Sequence, residues 1–143
     1  MTGPPDLRDA PPPGQPTRRG VCLFVQDLDA LGGSERQARL LAEALARAGE
    51  RVCLITSCGV GLLGRPAGPL RSQEGALEIW RLPLIGFEST ATAVVAGSGC
   101  DLINAVGIMM GSFAQRVGRV LGLPVVVKLA GMGEPGDIAT LGR

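Results

Sequence analysis

The sequence predicts an α/β domain in which a parallel β-sheet is covered by helices on both faces. Three observations predict this fold class. Short apolar runs alternate along the chain with segments whose apolar residues recur at helical spacing. A glycine pair separates the first apolar run from the first helical segment, and single glycines end two of the helical segments. Polar or glycine residues follow several predicted strands, at the edge where parallel sheets bind their ligands.

The first predicted unit is a strand, a glycine turn, a helix and a second strand. Residues 21–26 and 52–57 are short apolar runs of the kind that form buried strands. Ser34 is placed to cap the helix between them, with Gln37 at the capping-box position, and Gly49 is placed to end it with a positive φ. The apolar residues of this helix recur at the spacing of one buried face: Ala38, Leu41, Ala42, Leu45 and Ala48.

The same patterns predict a loop at residues 58–76 and strands at residues 77–82, 101–105 and 125–129. They also predict a short helix at residues 88–97 and a longer helix at residues 108–121. Gly122 is expected to terminate the longer helix. Residues 125–129 form the most β-branched run of the chain, which predicts a central strand buried on both faces. Residues 1–20 carry six prolines and are expected to form a disordered tail outside the fold.

Composition limits both the size and the function of the domain. A chain of 143 residues with 45% hydrophobic content is long enough for one domain with a substantial core. The net charge of +1 and the 3% aromatic content argue against a nucleic-acid surface. The sequence contains no histidine, which excludes Ser-His-Asp and Cys-His catalysis and histidine-ligated metals from this segment. A histidine-ligated metal is therefore not expected here, and we expect no cofactor.

Cysteine spacing and hydropathy suggest a location. The four cysteines, Cys22, Cys53, Cys58 and Cys100, lack the close pairs of a zinc or redox site, which favours free thiols and a reducing cytoplasm. No apolar run approaches the ~20 residues needed to span a bilayer. The apolar face of residues 108–121 has two interpretations, packing against the sheet or contact with a membrane surface, and its few cations favour packing.

The glycine pair Gly32-Gly33 also has two interpretations. In the first, the pair lets the chain turn sharply from strand to helix, which any α/β protein requires. In the second, the absence of Cβ atoms lets backbone N–H groups approach an anion at the start of the helix. Spacing alone favours the first interpretation, because a short glycine turn is a motif of low specificity.

Three segments, in order, resemble retaining glycosyltransferases of family 4, whose fold is called GT-B. The first is GGSERQARLLAEALARAGERVCLITS at residues 32–57, with a Gly-Gly-x-Glu-Arg turn and a strand that closes on Thr-Ser. The others are DLINAVG at residues 101–107 and GLPVVVKLAG at residues 122–131. The resemblance covers most of residues 21–143 and implies a Rossmann-like domain, the N-terminal, acceptor-side half of a GT-B enzyme.

The resemblance also implies what this domain does. The complete enzyme would transfer a sugar from a nucleotide-sugar donor to a hydroxyl of a saccharide or lipid-linked acceptor, without an obligatory metal. Gly32 and Gly33 would lie against the donor diphosphate. The catalytic residues are expected in a C-terminal domain that would follow residue 143, so the chain is expected to be incomplete and inactive alone. Residues expected to shape the sugar and acceptor side of the cleft are Asn104, Gly107, Lys128, Gly131, Gly133, Glu134 and Asp137.

The sequence departs from the family pattern in two ways, and two alternative functions remain open. Many family members have a His-Gly pair where this chain has Ala130-Gly131, and histidines are common at the positions of Asn104 and Val106. One alternative function is a non-catalytic fragment or truncated paralogue that keeps the fold. The other is a dinucleotide-binding module, since residues 131–136 spell G-x-G-x-x-G, although that motif belongs to a first strand–helix turn. For the glycosyltransferase function, we expect a cytoplasmic protein that can contact the inner face of the membrane peripherally.

Overall fold

The computed structural model describes residues 20–26, 33–57, 70–75 and 77–129, which form one sheet with helices on both of its faces. The strands are β1 (Gly20–Val25), β2 (Arg51–Ser57), β3 (Arg71–Glu74), β4 (Leu77–Leu82), β5 (Cys100–Val106) and β6 (Val125–Lys128). The helices are α1 (Gly33–Arg47), α2 (Phe87–Ser98) and α3 (Ile108–Leu121). The predicted strand at residues 77–82 and helix at residues 108–121 agree with the structure to the residue.

The sheet has the strand order β3-β4-β2-β1-β5-β6. Strand β1 pairs in parallel with β2 on one side and with β5 on the other. Strands β4 and β6 extend the parallel pairing outward, while β3 adds an antiparallel strand beside β4. The parallel strands therefore follow the order of a Rossmann fold. The order in which successive strands are added to the sheet reverses between β1 and β5. The predicted fold class is confirmed.

Helix α1 ends as the sequence predicts. Gly49 has a φ of 85°, in the left-handed region that glycine adopts without steric penalty. Its N–H donates to the Ala46 carbonyl at 3.0 Å, and the Glu50 N–H donates to the Leu45 carbonyl at 3.0 Å. These two bonds form a Schellman motif, which satisfies carbonyls that the helix end leaves without partners and redirects the chain into β2.

The core lies on both faces of the sheet. Helix α1 packs through the small residue Ala42 against buried strand residues, namely Leu23, Val52, Leu54, Leu77 and Ile79. Helices α2 and α3 cover the opposite face. There Phe87 packs edge-on against Phe24, with 6.1 Å between ring centroids, and in a tilted arrangement against Phe113, with 4.8 Å between centroids. Met110, Ala114 and Val117 of α3 are fully buried, so this helix packs on the sheet. This agrees with the packing interpretation of residues 108–121.

The buried cysteines behave as small apolar residues. Cys22, Cys53 and Cys100 are buried and unpaired by disulfides. The contact with Cys100 lowers the pKa of the Cys22 thiol, but the contact with Cys53 and burial outweigh it and raise that pKa to about 12. The contact with Cys22, followed by burial, raises the pKa of Cys100. A raised pKa keeps the thiols of Cys22 and Cys100 protonated near neutral pH, which makes them poor nucleophiles.

Three predictions differ from the structure. Residues 71–74, predicted as part of a loop, form β3, because backbone pairing with β4 stabilises a strand whose polar side chains are mostly exposed. The strand at residues 125–129, predicted to be central, lies at the edge of the described sheet, and Val126 is 52% exposed. Its β-branched residues suit a pleated surface whether one or both faces are buried. Helix α1 begins at Gly33, so Ser34 lies inside its first turn rather than before it.

Two glycines allow α3 to approach β6 closely. A Cβ atom at Gly111 would lie 2.8 Å from Val127 Cγ1. A Cβ atom at Gly118 would overlap Val125 Cγ2 and lie 2.9 Å from the Leu123 carbonyl oxygen. Because a backbone carbonyl cannot rotate away as a flexible side chain can, the contact at Gly118 is the harder one to relieve.

We predict that Gly118→Ala destabilises the protein by about 1 to 3 kcal/mol, because it forces α3 away from β6. The matched control is Gly97→Ala in α2, where an added Cβ meets no described atom within 4 Å. That substitution should stabilise by up to about 1 kcal/mol, because alanine is the better helix former. Urea unfolding of the two variants and the parent measures both changes. Equal stability of the two variants would contradict the close helix–strand contact.

Candidate functional site

The carboxyl ends of β1, β5 and β6 meet beside the first half of α1. The parallel register places Leu23 of β1 next to Asn104 of β5, and Asn104 next to Val126 of β6. Two residues further along, Val106 lies next to Lys128. Side chains paired in this way share a face of the sheet, here the face on which α1 packs. The register therefore brings Asn104 and Lys128 to the side of the sheet that α1 borders.

A cavity of about 250 Å³ lies between α1 and these strand ends. The helix contributes Ser34 and Gln37, β5 contributes Asn104 and β6 contributes Lys128. The apolar part of the wall is formed by Leu23, Ala38, Leu41 and Val106. No carboxylate of the described residues lines the cavity, so Lys128 supplies its one formal charge. Convergent polar groups on a mostly apolar wall are typical of small-molecule sites.

Lys128 and Gln37 are joined directly. The Lys128 Nζ donates a hydrogen bond of 2.7 Å to the Gln37 Oε1, across 91 residues of sequence. Gln37 stands in α1 one turn after Gly33, so the bond draws the ammonium toward the start of the helix. From the sequence alone, Gln37 is expected only at the capping-box position of α1. The helical spacing could have indicated its bond to Lys128, because Gln37 follows Gly33 by four residues and therefore lies on the same face of α1 as the glycine turn.

Gly33 and Gly107 are placed differently. Gly33 is the first residue of α1, and a Cβ atom built there meets no described atom within 4 Å. Gly107 has a φ of 84° at the turn from β5 into α3, which favours glycine, and its N–H donates to the Lys128 carbonyl at 2.9 Å. Gly107 does not line the cavity, so the structure gives it a part in joining β5 to β6.

The end of β1 is held by β2. The Gln26 carbonyl accepts a 3.0 Å hydrogen bond from the Ser57 N–H, and it also accepts bonds from the hydroxyls of Ser57 and Thr56. Both hydroxyl-bearing residues are buried. The Thr-Ser end of β2, one of the residue pairs that carry the resemblance, therefore holds the Gln26 carbonyl at the end of β1.

The other predicted site residues lie outside the described part of the chain: Gly32, Gly131, Gly133, Glu134 and Asp137. The same holds for the whole G-x-G-x-x-G segment at residues 131–136, for Cys58 and for residues 1–19 of the predicted tail. Within the described residues, no group of three or more histidine, cysteine, aspartate or glutamate residues could hold a metal ion. No helix formed by those residues has both the length and the apolar character that spanning a membrane requires.

Comparison with solved structures shows where this fold has been seen before. Sucrose-phosphate synthase from Thermosynechococcus elongatus is similar over 81% of this chain, with a TM-score of 0.68 and 21% identity. The chain spans 34% of that protein's length. An E. coli trehalose-6-phosphate synthase with bound UDP-2-fluoro glucose is similar over 77% of this chain and 32% of its own, with 12% identity and a TM-score of only 0.44. The first likeness supports the fold, and the second is too weak to carry an argument.

Comparison with protein families is more specific. A search of curated proteins finds no match. The family described as "Glycosyl transferase 4-like domain" matches residues 32–143, which begin at the glycine pair and include α1 and every later element. The resemblance to family 4 glycosyltransferases is thereby confirmed. Since the match extends over most of the sequence, the chain belongs to the glycosyl transferase 4-like domain family.

Proposed function

We propose that this chain is the acceptor-side domain of a glycosyltransferase that moves a sugar from a nucleotide-sugar donor to a hydroxyl acceptor. The observation that carries the proposal is the cavity at the carboxyl ends of β1, β5 and β6, next to the start of α1. Open α/β sheets bind ligands at this edge, where neighbouring strand connections diverge. In this proposal residues 21–143 form the domain, and a second domain contributes the nucleotide site and the catalytic residues.

The glycine turn is proposed to contact the donor diphosphate. The open space at Gly33 indicates that the described packing does not itself require glycine there. A close approach by a ligand would require it, because only glycine leaves the backbone N–H groups uncovered. Fixed N–H dipoles near Gly32 and Gly33 would then stabilise the charge that develops on the leaving diphosphate without reorganising during the reaction.

The remaining cleft residues are proposed to shape the sugar and acceptor side. Asn104 and Lys128 line the cavity, and the Gly107 N–H donates to the Lys128 carbonyl and so joins the ends of β5 and β6. Gly131, Gly133, Glu134 and Asp137 follow β6 in sequence and complete this proposed group. The acceptor is a saccharide or a lipid-linked hydroxyl, and the protein acts in the cytoplasm or at the inner face of the membrane.

We predict that Gly33→Val in the native gene product lowers glycosyl transfer at least tenfold while the domain stays folded. The valine branches would occupy the space through which the diphosphate approaches the backbone, and a tenfold loss corresponds to about 1.4 kcal/mol of transition-state stabilisation. Transfer rates with a panel of nucleotide sugars measure the effect, with circular dichroism to check folding.

The matched control for this variant is Gly97→Val, a helical glycine near the end of α2 that also has open space around its Cβ position. It carries the same cost of a β-branched residue in a helix but lies away from the cavity. Unchanged transfer in a folded Gly33→Val protein would return the glycine pair to a purely conformational role.

We also predict that residues 1–143 alone catalyse no glycosyl transfer. The described part of the cavity has one cation and no carboxylate, and an open cleft does not exclude water from the reacting groups. Incubation of the purified chain with nucleotide sugars and with saccharide or lipid acceptors tests this. Robust transfer by the chain alone would show that the catalytic residues lie within it.

A further inference from the structure

Lys128 is a cation that pairs with no carboxylate among the described residues. No carboxylate of the described residues lies within ion-pair distance of its ammonium group, whereas Arg39, Arg71 and Arg116 each pair with a glutamate. Its hydrogen-bond partner, Gln37, is neutral. An ammonium group has three N–H donors, and the bond to Gln37 uses one of them. Within the described part of the chain, the ammonium group therefore has two further N–H donors at the edge of the cavity.

The position of this charge is defined by its neighbours. The 2.7 Å bond to Gln37 holds the flexible lysine across the cavity, against α1. The wall around it is formed partly by Leu23, Leu41 and Val106, and apolar surroundings strengthen the field of a nearby charge. Gln37 accepts through Oε1, so its amide NH₂ group remains available to donate to the same ligand.

We propose that Lys128, positioned by Gln37, binds a phosphate group of a substrate in this cavity. A neutral hydroxyl would leave the ammonium charge uncompensated, whereas a phosphate offers the charge and several acceptor oxygens for the available donors. The inference rests on the proposed function for the identity of the substrate, because the phosphate could belong to a nucleotide-sugar donor or to a phosphorylated acceptor. The shared chemistry is a phosphate oxygen bound to the lysine ammonium.

The test is an NMR titration of the ¹⁵N-labelled 143-residue chain at low ionic strength. Inorganic pyrophosphate stands for the donor diphosphate, glucose 6-phosphate for a phosphorylated acceptor, and glucose is the neutral control. Either phosphate should shift the amide signals of Ser34, Gln37 and Asn104, and glucose should not. A larger response to pyrophosphate assigns the site to the donor, and a larger response to glucose 6-phosphate assigns it to the acceptor.

Three variants separate a binding role from general charge. Lys128→Met should weaken phosphate binding about tenfold or more, the cost of a lost charged hydrogen bond. Gln37→Glu keeps the lysine but pairs it with a fixed carboxylate, and should weaken binding by a similar factor. Arg119→Met removes the same charge from an exposed position in the last turn of α3 and should leave the affinity unchanged. All three positions are exposed, so the variants should remain folded.

The phosphate titration and the transfer assay can fail independently of each other. The inference is overturned if neither phosphate shifts the cavity signals at millimolar concentrations, or if Arg119→Met weakens binding as much as Lys128→Met does. Loss of transfer in Gly33→Val together with no phosphate response would overturn the lysine inference and leave the proposed function standing. If phosphate binding depends on Lys128 but glycosyl transfer is unchanged by Gly33→Val, the lysine inference stands and the proposed role of the glycine turn is overturned.

Discussion

The position of β1 between β2 and β5 is the constraint on which the rest of the structure depends. Residues 22–25 of β1 are fully buried, so the strand must be covered on both faces and paired on both edges. Helix α1 carries the chain from β1 to β2 on one face, while α2 brings it back to β5 over the other. The connections diverge at the carboxyl end of β1, and the cavity opens there.

The features that sequence analysis predicted well are determined by local chemistry. The strand Leu77–Leu82 has its buried residues in near alternation, and Pro83 immediately follows it. The helix Ile108–Leu121 ends at Gly122, whose φ of 69° is accessible to glycine and unfavourable for other residues. The same holds for Gly49 after α1. Signals of this kind act within a few residues, so a single sequence contains all the information that they require.

The features that sequence analysis missed depend on pairing between distant segments. Strand β3 has the polar sequence RSQE, and it is a strand because β4 supplies a backbone partner. The run at residues 125–129 has the composition of a buried strand, but composition does not specify how many neighbours a strand has. The Gln37–Lys128 bond depends on the register of β6 and on the orientation of α1 together, and neither is encoded near those two residues.

The absence of histidine gives the candidate site its chemical character. Imidazole is the side chain that most readily exchanges a proton near neutral pH, and this sequence contains none. In the proposed function, this domain therefore acts by fixed charge and fixed dipoles. The N–H groups at the glycine turn would stabilise negative charge as it forms on the leaving diphosphate, and Lys128 would bind a phosphate of the donor or of the acceptor. Neither role requires a proton transfer from the domain. Under this proposal, acid–base steps would fall to groups outside the described cavity, and the domain would contribute orientation and electrostatic stabilisation.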